Sequence, residues 1–591
     1  MFDFFFWYTA VLLILLTTTL IFELVEVDIA IFSTLLLLVV GGVIDVNEAF
    51  AGFSNHGMLT VGFLFIVASA LQKTSALEYF SDKVMGEGKK VSMTLLRFLP
   101  GVASFSAFFN NTPVVAVFIP TLISWSKKRN ISPSRLLIPL SYAAILGGMC
   151  TLIGTSTNLV VHGLMLENGL EGFSFFEISK VGLPVAFIGI FFISLFGYKF
   201  LPERKEPIAE LGEQTREFVV ALKVGALYDF IGKSIEEAGL RHLKGLFLFQ
   251  IERGDILISS VSPGEKIELN DRLFFVGLPE TIMDLQKIKG LTLIKDSDFD
   301  CKNYDSEEVS TFEVVISSDS PLVGKNIRES KFRTYYDAVI IAIHRSGERI
   351  KEKIGNIVIR PGDTLLILAN RDFLNRWYNS RDFYLVSKSA RVDSKPKFYS
   401  YFSAAVLIAM ILAMSFKLLP ILVAVSLAAV ILILSKTISP YAARRSVNWK
   451  VLLVIASAFG IAKAMINSGV ALFLAEKIVS VAGTFGTLGL IAGVYFVTSF
   501  YTEIITNNAA AALIVPIALS VANQSGLDPV PLLIAVAIAA SASFATPIGY
   551  QTNLMVYGPG GYKFKDFLKI GVPMNLFVGI LSITIIYFIY F

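Results

Sequence analysis

The residues of this chain best suited to chemistry are polar runs set inside apolar stretches. Two of them, Asn110-Asn111-Thr112-Pro113 and Thr506-Asn507-Asn508, interrupt segments too long for a single membrane crossing. Two more, Gly154-Thr155-Ser156-Thr157-Asn158 and Gly549-Tyr550-Gln551-Thr552-Asn553, break a later apolar segment of each half. A backbone break inside lipid costs free energy unless it lines a cavity. A helix that resumes after a break aims free N–H groups and partial positive charge at that cavity, which favours an anion. Asn111, Thr112 and Thr157 have the side chains of helix caps, and Pro113 suits a first helical turn. The preceding carbonyls and the Asn and Ser side chains are hard oxygen ligands for a small cation. Such a site holds an anion without buried Arg or Lys. Glu503 lies four residues before Asn507. A carboxylate in such a segment is costly unless paired or functional, so it either ligates a cation or carries a proton. The alternative is a solvated Glu503 at the mouth of the hairpin.

These runs sit in a chain of 591 residues, 54% hydrophobic and 17% charged, against about 25% charged in soluble chains. A single soluble domain and a disordered or fibrous chain are excluded. Residues 203–398 hold 31 acidic and 30 basic side chains, whereas the other 395 residues hold 37 charges. A soluble module is thus inserted between two membrane halves. Its net charge of −1 argues against nucleic-acid binding. Cys150 and Cys301 form neither a disulfide framework nor a metal-ligand spacing. The apolar N-terminal segment, 4–22, has no basic leader and reads as a retained membrane helix.

The halves repeat each other. Asn111 matches Asn508 at an offset of 397, Pro120 matches Pro516 and Pro133 matches Pro529 at 396, Gly154–Asn158 matches Gly549–Asn553 at 395, and Gly182 matches Gly571 at 389. If the interrupted segment returns to its own side as a re-entrant hairpin, each half makes five crossings and the second half is upside down. Basic residues then collect in the inner loops, among them Lys83, Lys89, Arg129, Arg204, Lys205, Arg444 and Lys563, while Asp45, Glu171 and Asp528 lie outside. Glu23–Asp28, Lys180, Lys417 and Lys477 are small exceptions. Lys463 either snorkels to an interface or balances anion charge. His56, His162, Phe105, Phe108 and Phe109 read as structural.

The insert carries its own repeat. Ile231-Gly232-Lys233-Ser234-Ile235 matches Val323-Gly324-Lys325-Asn326-Ile327, Arg241 matches Arg333 and Asp271 matches Asp363, all at an offset of 92. Each copy reads as a small α/β module with a helix-like start, and Leu246–Gln250, Leu273–Val276, Val339–Ile343 and Thr364–Leu368 have strand composition. Gly232-Lys233-Ser234 mimics the end of a phosphate-binding loop, but Leu227 stands where that loop needs glycine. The copies resemble the C-terminal domain of potassium-conductance regulators, in their shared Gly-Lys start and the Asn-Asp or Gly-Asp turn before the last strand. That resemblance implies pairing and a small regulatory ligand.

At the tips and loops the chain resembles the divalent anion:sodium symporter family, within the ion transporter superfamily, over nearly all of both halves; Ala51-Gly52-Phe53-Ser54-Asn55 adds to the likeness. In that family each tip usually reads Ser-Asn-Thr, so Asn110 and Asn507 replace serines and Ala509 replaces a threonine. The resemblance implies anion contacts from Asn110, Asn111, Thr112, Thr157, Asn158, Asn507, Asn508, Thr552 and Asn553. It implies sodium ligation around Ser106, Asn111, Gly154, Glu503, Asn508 and Gly549. It also implies a homodimer embedded in lipid with elevator-like alternating access. The expected protein is therefore not an enzyme. It is an α-helical polytopic inner-membrane symporter of a small anion, sulfate before dicarboxylates, coupled to sodium or protons. Its parts are repeat 1 (1–202), cytoplasmic modules (203–300 and 301–398) and repeat 2 (399–591), with both termini outside. A channel gated by the modules and a sensor without transport are the alternatives from other classes.

Overall fold

The computed structural model describes residues 3–22, 24–72, 90–129, 131–203, 219–387 apart from several short stretches, and 397–591. Lys83, Lys89, Arg204, Lys205, Arg241 and Cys301 lie outside the described residues. The chain divides into two compact units. One comprises Met1–Glu203, Asp393–Val556 and Phe564–Phe591; the other comprises Arg204–Val392 with Tyr557–Lys563.

The first unit is helical, because an apolar segment that meets lipid must satisfy its backbone internally. Its first half runs α1 (Phe4–Ile21), α2 (Val27–Val40), α3 (Val46–Phe50), α4 (His56–Gln72), α5 (Val91–Ser106), α6 (Asn111–Arg129), α7 (Leu137–Gly148), α8 (Ser156–Glu167) and α9 (Ser179–Leu195). The second half runs α10 (Lys397–Ser415), α11 (Ile421–Leu434), α12 (Pro440–Ser446), α13 (Trp449–Asn467), α14 (Val470–Ala482), α15 (Gly486–Thr502), α16 (Asn507–Ser525), α17 (Pro529–Ser541), α18 (Gln551–Tyr557) and α19 (Phe564–Tyr590). Apart from α14, the order of the described helices is the same in both.

Packing repeats as well. α5 packs on α7 and α9 as α15 packs on α17 and α19, and α4 lies against α11 as α2 lies against α13. Every residue of α7 and all of Pro531–Ser541 in α17 are buried, so these two helices form the centre of the unit. Among the described residues six helical stretches, including Phe4–Ile21, Asn507–Ser525 and Phe564–Tyr590, are long and apolar enough to cross a membrane; shorter apolar helices accompany them.

The second unit holds two five-stranded antiparallel sheets. The first contains β1 (Val219–Val224), β2 (Leu246–Arg253), β3 (Ile256–Ser259), β4 (Arg272–Gly277) and β5 (Leu291–Leu293), in the order β3-β2-β4-β1-β5. The second contains β6 (Val309–Ile316), β7 (Ala338–Arg345), β8 (Glu348–Arg349), β9 (Thr364–Asn370) and β10 (Phe383–Ser387), in the equivalent order β8-β7-β9-β6-β10. The 92-residue offset extends to single bonds. Arg253 donates through Nε and Nη2 to both oxygens of Asp271, at 2.9 Å each, and Arg345 does the same to Asp363 at 2.8 Å. The helix-like start expected of each copy forms turns instead. Gly232 and Gly324 sit at φ +83° and +79°, outside the helical region. A bridge from Ser234 to Lys266, or Asn326 to Val358, ties each start to the segment that leads into β4 or β9.

Candidate functional site

Each tip is a break between two helices that leaves an asparagine at the start of the second. α6 begins at Asn111, and Ser106, the last residue of α5, donates to Asn111 Oδ1 at 2.6 Å. α16 begins at Asn507, and the hydroxyl of Thr502, the last residue of α15, lies between Asn507 Oδ1 at 2.9 Å and the Ala540 carbonyl at 2.7 Å. The structural partner of Asn111 is therefore Asn507, at the 396 offset of the neighbouring prolines, and not Asn508. The hydroxyl that precedes the second tip is Thr502, so Glu503 corresponds to Ala107. Reading by residue identity alone placed the register one residue late, because Asn507 and Asn508 are adjacent.

The second pair of breaks is closed by side chains that spend their polar atoms on the backbone. Asn158 Nδ2 donates to the carbonyls of Thr151 (2.8 Å) and Gly148 (3.4 Å). Asn553 Nδ2 donates to the carbonyls of Thr546 (3.0 Å) and Ser543 (3.0 Å). These amides terminate the preceding helices, α7 and α17, and both asparagines are fully buried. The expectation that Asn158 and Asn553 face the anion gives way to this bracing role. Asn158 Oδ1 is buried without a partner, whereas Asn553 Oδ1 accepts from Ser141 at 2.7 Å. The first half thus keeps one free hard oxygen beside the Gly148 and Thr151 carbonyls, a donor type that suits sodium. Thr151 Oγ1 donates to the carbonyl of Ala107, and Thr546 Oγ1 lies 3.3 Å from that of Glu503, so each break is tied to its own hairpin.

Glu503 differs from what the sequence suggested. Oε1 accepts from Ala545 N (3.0 Å) and Asn575 Nδ2 (2.7 Å); Oε2 accepts from Thr546 N (3.0 Å) and Thr546 Oγ1 (2.9 Å). Four neutral donors converge on the half-buried carboxylate, so it is not a lone charge. Its visible task is to supply the acceptors that the backbone of the second break lacks.

The halves meet at the tips. Thr112 Oγ1 donates to Gln551 Oε1 at 3.1 Å, and Ser156 Oγ donates to Asn508 Oδ1 at 3.0 Å. These bonds are equivalent, each joining the second residue of a tip helix to the first residue of the other half's resumed helix. Thr157 Oγ1 also donates to Asn508, at 3.4 Å. Between these flanks Asn111 Nδ2 donates to the Tyr550 hydroxyl at 2.6 Å. Thr552 is buried behind them, its hydroxyl 2.9 Å from Ser141 Oγ. Neither Thr155 nor Thr506, the cap positions of α8 and α16, makes a side-chain cap bond. The expected caps Asn111 and Thr157 lie inside the first turns, and their side chains serve the cluster instead. Asn110 lines a recess with Val61, Phe65, Phe109, Ser156 and Leu407. Gly154 and Gly549 lie where a side chain cannot fit: a Cβ at Gly154 would stand 2.5 Å from the Gly148 carbonyl oxygen, and one at Gly549 would strike Ser543 Oγ.

Other candidates stay apart. Lys463 pairs with Glu48 at 3.7 Å, and His162 Nδ1 accepts from Phe173 N at 3.0 Å, a structural bond. Sequence reasoning passed over Tyr550, Gln551, Ser156 and Thr502. All four lie within or beside the matched motifs, and their signal was position within the repeat rather than identity with it.

Broken helices that converge on a buried polar cluster, inside a unit of apolar helices, define a multi-pass membrane transporter and not an enzyme. The chain belongs to the citrate transporter family, which matches residues 13–526 and 504–591. It is 37% identical, over 95% of its length and 98% of the relative's, to a Chlamydomonas reinhardtii protein named as a regulator of the response to sulfur deprivation. An uncharacterized transporter of Synechocystis is 30% identical over 96% of this chain and 95% of its own. Sodium/sulfate cotransporter 1 of Chlamydomonas reinhardtii is 26% identical over 92% of this chain and 85% of its own.

Proposed function

We propose that this chain is a secondary transporter that moves sulfate together with sodium. The observation that carries the reading is the reciprocal contact of the two tips with the two resumed helices, Thr112 with Gln551 and Asn508 with Ser156. It gathers two helix starts and several hydroxyls around one small volume, which suits an anion. The names of the sodium/sulfate cotransporters support sulfate and sodium. In this reading the anion contacts are Asn111, Thr112, Ser156, Thr157, Asn507 and Asn508, with Asn110 at the approach. Sodium takes the oxygens around Ser106, Asn111, Asn158 and the Gly154 loop in the first half. In the second half it takes those around Thr502, Asn507 and the Gly549 loop, with Glu503 holding that loop in shape.

The halves form inverted repeats, each with five crossings and a re-entrant hairpin, and alternating access is an elevator-like movement of the tip bundle in a homodimer. Residues 203–398 are cytoplasmic modules of the potassium-conductance-regulator C-terminal type that regulate transport through a small ligand. Both termini lie outside. A dicarboxylate substrate is the second reading, favoured by the family's description and by a 27% identity, over 26% of this chain, to a sodium-dependent dicarboxylate transporter of Staphylococcus saprophyticus.

The test is radiolabel uptake of sulfate, phosphate, succinate and citrate into proteoliposomes, with and without sodium and a proton gradient. Saturable sodium-dependent sulfate accumulation is expected. Uptake of succinate or citrate in its place selects the second reading, and accumulation of none of the four sinks both.

A further inference from the structure

The motif Gly549–Asn553 repeats Gly154–Asn158 at its Gly, Thr and Asn and differs at two positions that face the cluster, Gln551 for Ser156 and Tyr550 for Thr155. Where the first half has Thr155 the second has Tyr550. That tyrosine is almost fully buried, and its hydroxyl lies between the tips. Its oxygen accepts from Asn111 Nδ2 at 2.6 Å. That amide is oriented for this by the hydroxyl behind it: Ser106 donates to Asn111 Oδ1 at 2.6 Å, which turns the NH2 inward. A lone pair of the phenol oxygen is therefore taken by the first tip. Its O–H proton is left with Thr155 Oγ1 at 3.4 Å, beyond the usual O–H···O range. A phenol that accepts a short bond and makes none is polarised toward donation, and an anion is a better acceptor than a threonine hydroxyl.

We propose that Tyr550 is a specificity-determining residue of the anion site: its hydroxyl is a direct donor to the bound oxyanion, and its ring limits the site to compact anions. The proposal rests on the transport reading above. The size argument follows from the broken symmetry. The ring of Tyr550 fills volume that Thr155, its counterpart in the first half, leaves open, between the bonded pairs Thr112–Gln551 and Ser156–Asn508. A larger side chain at one of two paired positions favours the smaller anion.

The test uses the full chain in proteoliposomes under a sodium gradient, with sulfate and succinate each measured for wild type, Tyr550→Phe and Tyr550→Thr. Tyr550→Phe keeps the ring and removes the donor, so the sulfate KM should rise about tenfold, the effect of one hydrogen bond to a charged group, with succinate still excluded. Tyr550→Thr restores the first half's residue, so the preference for sulfate over succinate should fall about tenfold or more. Should the threonine variant aggregate on size-exclusion chromatography, the isosteric phenylalanine variant decides the donor role by itself. A sulfate KM within about twofold of wild type in Tyr550→Phe overturns the donor role. Unchanged preference in a monodisperse Tyr550→Thr overturns the size limit. A wild type that carries none of the anions sinks the transport reading and this inference with it; an active wild type with indifferent variants sinks this inference alone.

Discussion

The two halves of the helical unit close the same break in different ways. In the first half the chain closes it on itself: Cys150 N donates to the Gly147 carbonyl at 2.9 Å and Met149 N to that of Ile145 at 3.3 Å. In the second, Ala545 N turns to Glu503 and Phe544 N to Asn575 Oδ1 at 3.1 Å, so a side chain just past α15 and one on α19 provide what a tight turn provides in the first. The equivalent residues in the first half are Ala107 and Ala186, which offer nothing polar. Glu503 and Asn575 are bonded to each other and belong together as a pair. What recurs in both halves, Thr151 with Thr546, Gly154 with Gly549, Asn158 with Asn553, is frame. What differs, Glu503 with Asn575 and Tyr550, shows where the second half has been given a separate task.

The hardest way to break this comparison is to remove the second half's substitute for a turn. Glu503→Ala leaves two backbone N–H groups, the Asn575 amide and the Thr546 hydroxyl without their acceptor. Each unsatisfied buried donor costs about 1–3 kcal/mol, so the loss should be roughly 3 kcal/mol or more, with transport abolished. Glu503→Gln retains one acceptor oxygen and should fall between. Ala107→Ser, at the equivalent place, should cost under about 1 kcal/mol. Thermal unfolding of the purified protein in detergent measures all three. A melting temperature for Glu503→Ala near that of wild type would show that the carboxylate is dispensable as a brace and return it to the cation pathway.

The paired glycines sharpen the contrast at a smaller scale. A Cβ at Gly154 meets two backbone oxygens, those of Gly148 at 2.5 Å and Ala107 at 3.0 Å, which can move only with their helices. A Cβ at Gly549 meets side-chain atoms, Ser543 Oγ first, then Thr546 Oγ1 at 2.8 Å and Glu503 Oε2 at 3.0 Å. Rotatable side chains yield more cheaply than backbone, so Gly154→Ala should cost about 2–3 kcal/mol and Gly549→Ala about 1 kcal/mol. Sodium-dependent uptake should follow the same order. The reverse order would mean that the second loop is the stiffer one.

Much of this arrangement was legible in the residues. The four polar runs, the break positions and the internal repeat all follow from the cost of polar backbone in lipid, a constraint strong enough to mark a sequence. The insert's offset of 92 held down to the Arg–Asp bonds because a buried carboxylate needs its partner at a fixed distance. The tip register was misplaced because two adjacent asparagines carry no information on which begins the helix; only the hydroxyl five residues earlier, Ser106 or Thr502, distinguishes them. Asn158 and Asn553 look like ligands in a list of polar residues, and only coordinates reveal that their amides close a helix end. Tyr550 escaped because a search for repeats rewards agreement, and it is the position that disagrees.

Those hydroxyls give a test of the shared frame. Ser106→Ala and Thr502→Val each free an asparagine amide to rotate without removing it. If the tips are equivalent, each variant should raise the anion KM by a similar factor, about tenfold, with kcat little changed. Unequal effects would show that one tip dominates anion binding, and would place the centre of the site nearer that half.

The smallest expected effect concerns the insert, where the two copies differ less than the two halves do. Asp271 and Asp363 are each buried and held by a forked arginine, Arg253 or Arg345, whose Nη2 also reaches the carbonyl of Lys266 (2.6 Å) or Val358 (2.7 Å). Lysine keeps the charge and loses the fork. Arg253→Lys and Arg345→Lys should therefore each destabilise their own sheet by about 1 kcal/mol. Hydrogen exchange in the full chain reads this as a fall of roughly fivefold in protection of β4 in one variant and β9 in the other, with uptake unchanged. Loss of protection in both sheets from either variant would show that the copies fold as one cooperative body, a property that two copies holding their carboxylates separately do not require.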